Sequence, residues 1–266
     1  WCAYITGGKP SEIYPKAKTA ALRALELDAG LAEAHSALGH IRFAYDWDWA
    51  GAEDAFKRAI ALNPNSAAAH HQYSIYLGNV GRLEEAIAVG EQSVRVDPLS
   101  VAASQALGLL FVLAQQYDEG RIHLERALDL DPNFPVARVC LAVLHVKTQM
   151  PEKAIKECER AVSASRGAAG PQAMLGYTYA VAHRTEEARS VLATLESLAE
   201  SQYVSAAYIA FPHIGLGEHD EAFRWLDTAF AERAGALTWL PTWPVYDSLR
   251  EDPRFSRLLQ RMGLEG

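Results

Sequence analysis

Apolar and polar positions follow a helical pattern along this chain, and the helical stretches end at the same kind of dipeptide. Three amphipathic stretches close on an Asn-Pro or Asp-Pro pair, and their prolines, Pro64, Pro98 and Pro132, are spaced by 34 residues. Because proline lacks the N–H that continues a helix, each pair predicts a helix end. The pattern therefore predicts a helical unit that repeats every 34 residues.

Small residues mark the same period. One series has steps of 34: Ala52, Ala86, Gly120, Ala154, Ala188 and Ala222. Another series has a first step of 35 and later steps of 34: Gly39, Ser74, Gly108, Ala142, Gly176 and Ala210. Small side chains let helix backbones approach closely, so the two series predict close helix contacts that recur in every unit.

The first step of 35 places one extra residue between Gly39 and Ala52, in a stretch where tryptophans alternate with aspartates. Counted back from Ala52, Trp49 falls at a packing position that recurs in later units. Asp48 before it predicts a helix N-cap. We therefore expect Trp49 to be largely buried and Trp47 to be the more exposed of the two.

The 34-residue unit resembles the tetratricopeptide repeat (TPR), whose pattern is W-x2-L-G-x2-Y…A-x3-F…P. The best copy comprises Leu107, Gly108, Phe111, Gly120, Leu124, Ala127 and Pro132. The opening tryptophan of the pattern is absent from every unit. The resemblance implies an all-α fold: a TPR α-solenoid, which is a right-handed superhelix of antiparallel helix pairs with a C-terminal capping helix.

We predict a single solenoid domain over residues 1–266. Residues 1–30 form a partial repeat, and residues 237–266 form the C-terminal cap. The full repeats are 32–66, 67–100, 101–134, 135–168, 169–202 and 203–236. Since the first helix of the partial repeat is mostly missing, we expect the chain to be a fragment of a longer protein.

Two stretches, YDWDWAGAEDAFKRAIALNPN and DSLREDPRFSRLLQRMG, are similar to the C-terminal TPR regions of bacterial multidomain regulators. In those proteins the repeats are linked to a winged-helix, Ser/Thr kinase or nucleotide cyclase domain. The resemblance implies a cytoplasmic interaction module. It also leaves open an intramolecular regulatory or dimerisation module of a larger signalling or transcription-regulating protein.

Charge and cysteine content narrow the classes of partner. The formal net charge of -8 argues against non-specific nucleic-acid binding by this segment. The longest apolar run, Ala106–Ala114, is far shorter than the ~20 residues that a membrane helix needs. The cysteines Cys2, Cys140 and Cys158 form no CxxC pair, which favours a reducing compartment.

The chain contains nine histidines, but their spacing favours neither a metal site nor a catalytic one. His70 and His71 point about 100° apart on a helix, and no HExxH string is present. We predict no metal, no cofactor and no enzymatic activity. A hydrolase that uses His40 or His71 is the remaining alternative, and only the number of histidines supports it.

In TPR proteins the first helix of each repeat lines the concave surface. The resemblance therefore implies these partner-binding residues: His40, Phe43, His71, Ile75, Asn79, Gln105, Leu109, Val112, Val139, Val143, Lys147, Tyr177 and Phe211. This mostly apolar groove favours a protein or peptide partner, bound as an amphipathic helix or an extended apolar segment. The alternative is that a tightly wound superhelix buries these residues against its own chain.

Overall fold

The fold consists of helices joined by short turns. The computed structural model describes residues 8–264, and this part of the chain contains fourteen α-helices and no strand. In chain order they are α1 (Pro10–Leu27), α2 (Ala32–Ile41), α3 (Trp49–Leu62), α4 (Ala67–Asn79), α5 (Leu83–Val96), α6 (Val101–Leu113), α7 (Tyr117–Leu130), α8 (Pro135–Lys147), α9 (Pro151–Ala164), α10 (Ala169–Val181), α11 (Thr185–Ser201), α12 (Ala206–Gly215), α13 (His219–Ala231) and α14 (Pro253–Arg261). The all-helical class expected from the sequence is confirmed.

Helices α2 to α13 pack as six successive pairs, and each pair packs on the next. The turns between pairs contain the proline dipeptides: α3, α5 and α7 end just before Asn63, Asp97 and Asp131. The helix α1 precedes the first pair, and α14 follows the last. The beginning of the predicted partial repeat, residues 1–7, and the last two residues of the predicted cap lie outside the described residues.

The small-residue positions are the points of closest approach between helices. Ala52, Ala86 and Ala154 are completely buried. A Cβ atom on Gly108 would lie 2.7 Å from Cγ of Leu124 and 3.0 Å from the carbonyl oxygen of Gly120. Such distances leave no room for a side chain, because real Cβ atoms do not approach other atoms so closely. The small residues thus have a packing role.

Side-chain caps fix where several helices begin. The Asp48 carboxylate accepts a hydrogen bond from the Gly51 backbone N–H at 3.0 Å, which confirms the expected N-cap of α3. Asp252 caps α14 by accepting from the Arg254 N–H at 2.8 Å. Each cap satisfies a backbone donor that has no partner within its own helix.

The extra residue between Gly39 and Ala52 is accommodated by a turn of π-helix. Residues Arg42–Asp46 continue α2 in this wider form, and Trp47 then adopts a left-handed backbone conformation with a φ of 58°. A π-turn takes up one additional residue without breaking the helix. The insertion therefore changes the direction in which the chain leaves α2.

The expected order of exposure of the two tryptophans is wrong. Trp47 is only 7% exposed, because its ring packs 5.0 Å from the ring of Phe230 and lies under the Arg233 guanidinium at 4.2 Å. Trp49 is half-buried, and its Nε1 donates to the carbonyl oxygen of Met262 at 2.8 Å. The superhelix brings the first helix pair against the last, which a count of residues within one repeat does not reveal.

The chain between α13 and α14 fills the space inside the superhelix. It forms two short 3-10 turns, Gly235–Trp239 and Pro244–Leu249. Leu237, Leu240 and Tyr246 are completely buried in the core. This segment therefore forms part of the core, and α14 covers it from the end.

Candidate functional site

The thirteen candidate residues lie along the first helices of the pairs. His40 is on α2, and Phe43 is on the π-turn that extends it. The others are on α4, α6, α8, α10 and α12. Successive first helices pack on one another, so their residues form one continuous inner surface.

Burial divides these candidates into two groups. Eight of them are buried: Phe43, His71, Asn79, Gln105, Leu109, Val112, Val143 and Phe211. The remaining five, which we call the half-buried groove residues, are His40, Ile75, Val139, Lys147 and Tyr177. Only the half-buried groove residues present side-chain surface to solvent in this state of the chain.

The turn Pro244–Leu249 covers part of the groove. The Lys147 ammonium lies 2.9 Å from a carboxylate oxygen of Asp247. The ring of Tyr246 meets the ring of Phe211 edge to face, with their centroids 5.7 Å apart. The turn also shares one apolar cluster with Leu109 and Val143. Leu109, Val143 and Phe211 are thus packed against another part of the same chain.

The charges at the covered end of the groove are arranged around Asp247. Its carboxylate pairs with Lys147 and also accepts from Arg250 Nε at 3.0 Å. Burial, with a smaller effect from the negative charge of Asp247, raises the pKa of Tyr177 to about 12. The phenol of Tyr177 is therefore held in its neutral form beside the ion pair of Asp247 and Lys147.

The two histidines of the hydrolase alternative are neutral at pH 7. Burial lowers the pKa of both His40 and His71 to about 4 because the charged imidazolium loses its hydration. Among residues 8–264, no group of three or more His, Cys, Asp or Glu side chains is placed to hold a metal ion. His71 is buried within the inner surface, and His40 is half-buried there.

The cysteines on the helices are buried free thiols. Cys140 and Cys158 are completely or almost completely buried, and this burial raises the pKa of each to about 12. Gln105 Nε2 donates to Cys140 Sγ at 3.2 Å. Since the thiolate is the reactive form, both thiols are poor nucleophiles at neutral pH. Cys2 lies outside the described residues.

Between residues 8 and 264, no helix has the length and the apolar character that a membrane crossing requires.

Sequence reasoning did not find the residues that cover the groove. Asp247 and Tyr246 come from a segment without the 34-residue period, and Trp47 meets α13 only after a turn of the superhelix. The only local signal was composition, because the segment from Leu237 to Leu249 contains two tryptophans, a tyrosine and two prolines. That composition indicates an aromatic segment packed under the capping helix, where Tyr246 does lie near Phe255, but it does not reveal the contact of Tyr246 with Phe211.

Comparisons with known proteins agree with this geometry. Residues 55–88 match the family model described as Tetratricopeptide repeat. A curated relative, Small glutamine-rich tetratricopeptide repeat-containing protein 2 of Mycosarcoma maydis, is 29% identical over 122 residues. The alignment covers 46% of this chain and 34% of the relative, so the chain spans about a third of that protein's length.

Solved structures show a similar arrangement of helices. The structure of the APC/C hetero-tetramer Cut9-Hcn1 is 16% identical, with a TM-score of 0.66 over 98% of this chain and 47% of that one. PilW, a type IV pilus biogenesis factor, is 20% identical, with a TM-score of 0.59 over 70% of this chain and 86% of that one. The matched repeat and the curated relative support the assignment of this chain as a tetratricopeptide repeat protein. The fold is an all-α solenoid.

Proposed function

We propose that this chain is a non-catalytic scaffold that binds a protein or peptide partner in its concave groove. The TPR solenoid is in general a protein-interaction scaffold. The observation that carries the groove assignment is that the inner surface holds a peptide-like turn of the same chain. Lys147 binds a carboxylate of that turn, and Phe211 packs on its aromatic ring. A surface with these contacts suits a segment of similar chemistry.

The half-buried groove residues form the part of the groove that a partner would contact first. Ile75, Val139 and Tyr177 offer apolar surface, and Lys147 adds one positive charge. This combination favours an amphipathic helix or an extended apolar segment that contains a carboxylate. The apolar contacts would supply most of the affinity, and the charge would fix the orientation.

An intramolecular regulatory or dimerisation module of a larger, cytoplasmic bacterial signalling protein is the second candidate. The observation that favours it is an exposed face of α1. Ala17 is exposed there, whereas Ala52 and Ala86, at the corresponding small position of α3 and α5, are completely buried. A helix from another domain or from a second copy of the chain could pack on this face and bury Ala17.

A capture experiment with matched variants tests the groove proposal. Val139→Asp places a charge among the half-buried groove residues, and Ile122→Asp places the same charge on α7, where Ile122 is 61% exposed. We expect Val139→Asp to reduce partner capture by at least about tenfold, since an unpaired carboxylate disfavours an apolar contact. Ile122→Asp should retain the capture of the unchanged chain.

Thermal unfolding of both variants serves as the folding control. Equal capture by the two folded variants would contradict the groove assignment.

A further inference from the structure

The turn Pro244–Leu249 has the form of a bound peptide. It is six residues long, and the loop Leu240–Trp243 and the three residues Arg250–Asp252 connect it to the rest of the chain. Its apolar side chains, Val245, Tyr246 and Leu249, point into the core, whereas Asp247 and Ser248 are exposed. The turn therefore directs its apolar side chains into the groove and its polar side chains toward solvent.

One aromatic anchor and one carboxylate define how the groove holds this turn. Tyr246 is completely buried, and its ring packs against the rings of Phe211 at 5.7 Å and Phe255 at 6.5 Å. The next residue, Asp247, forms the ion pair with Lys147 on α8. Adjacent residues thus provide one deep apolar contact and one charge contact to the groove wall.

The charge contact can be exchanged with solvent or with another carboxylate. The side chains of Lys147 and Asp247 are 32% and 44% exposed, so water screens their attraction. Arg250, which also binds Asp247, belongs to the same segment and would move with it. A competing carboxylate that reaches Lys147 would form an equivalent ion pair in place of the one with Asp247.

We propose that the turn Pro244–Leu249 is an internal ligand that closes the groove, and that the partner displaces it with an aromatic residue followed directly by an acidic residue. This inference rests on the proposed function, because it assigns regulation and partner chemistry to the same groove. The partner's aromatic ring takes the place of Tyr246 beside Phe211, and its carboxylate takes the place of Asp247 beside Lys147. The apparent affinity then depends on the fraction of molecules whose turn is released.

A peptide supplied in trans tests this competition. The probe is a fluorescein-labelled peptide with the sequence of residues 242–251, titrated with the full chain and followed by fluorescence polarisation. In the full chain, Asp247→Lys places like charges together at Lys147 and Arg250 and so weakens the internal turn. We expect this variant to bind the probe at least about fivefold more tightly than the unchanged chain.

The matched control is Asp227→Lys. Asp227 also pairs with an arginine, Arg261, but the pair lies on the surface between α13 and α14. This variant should bind the probe as the unchanged chain does. A second probe, in which alanine replaces the counterpart of Asp247, should bind the Asp247→Lys chain at least about fivefold more weakly than the first probe.

Two results would overturn the internal-ligand proposal. One is equal probe binding by Asp247→Lys and the unchanged chain, and the other is equal binding of the two probes. Asp247→Asn, which removes the charge with little change of shape, replaces Asp247→Lys if thermal unfolding shows that the latter is misfolded. Partner capture that depends on Val139 but not on Asp247 would refute the internal ligand and leave the scaffold function standing.

Discussion

His71 links the stability of the inner surface to pH. Its side chain is 8% exposed, and burial lowers its pKa from the usual 6.5 to about 4. Between these two pH values the unfolded chain binds a proton that the folded chain does not. The free energy of unfolding must therefore decrease as the pH falls through this window.

Replacing His71 with glutamine should remove part of this pH dependence. Urea denaturation at pH 7 and pH 4.5 would give the free energy of unfolding of both chains. We expect the loss between the two pH values to be smaller in His71→Gln by about 1 kcal/mol or more. A variant with the same loss as the unchanged chain would show that His71 is not buried in the neutral form.

At the scale of one element, the π-turn Arg42–Asp46 shows where prediction from the sequence succeeds and where it stops. The step of 35 located the extra residue between Gly39 and Ala52, and Asp48 was correctly expected to cap α3. The direction of Trp47 was not predictable. Its surroundings include Arg233, which donates a hydrogen bond to the Asp46 carbonyl oxygen from 187 residues away. A local period contains no information about which repeats meet after a superhelical turn.

The contact of Trp47 with α13 should contribute measurably to stability. Trp47→Ala removes a ring that is packed against Phe230 and Arg233, and it leaves a cavity. We expect the free energy of unfolding to fall by about 2–4 kcal/mol, as for other large-to-small core substitutions. Chemical denaturation gives this value directly.

Trp225→Ala is the control for Trp47→Ala, because Trp225 is a half-buried tryptophan on α13. Its loss should cost less than half as much, since less apolar surface becomes exposed to water. Equal costs would contradict this account, because the contact between the first and last helix pairs would then contribute no more than a half-buried tryptophan.

For the whole molecule, the repeat period predicted the helices and their pairing. It did not predict that a turn of the same chain covers part of the groove. The candidate residues lie on the first helices, as the TPR resemblance implied. On α8, however, Val143 is buried, and Lys147 one turn later pairs with Asp247. The covering turn has no repeat pattern, so its position depends on tertiary packing that periodicity does not encode.

The function that we propose requires the partner to touch the inner surface of the superhelix. The half-buried groove residue Val139 on α8 and the exposed Ile122 on α7 are matched aliphatic positions on first and second helices. A photo-crosslinking amino acid at either position forms a covalent bond only with a protein in direct contact. The two positions therefore report separately on the inner and outer surfaces.

Site-specific photo-crosslinking at positions 139 and 122 is the most direct test of the scaffold proposal. We predict that the captured partner becomes crosslinked to the full chain from position 139 and not from position 122. Crosslinking from position 122 alone would contradict the proposal. The partner would then bind the outer surface, and the turn Pro244–Leu249 would remain in the groove.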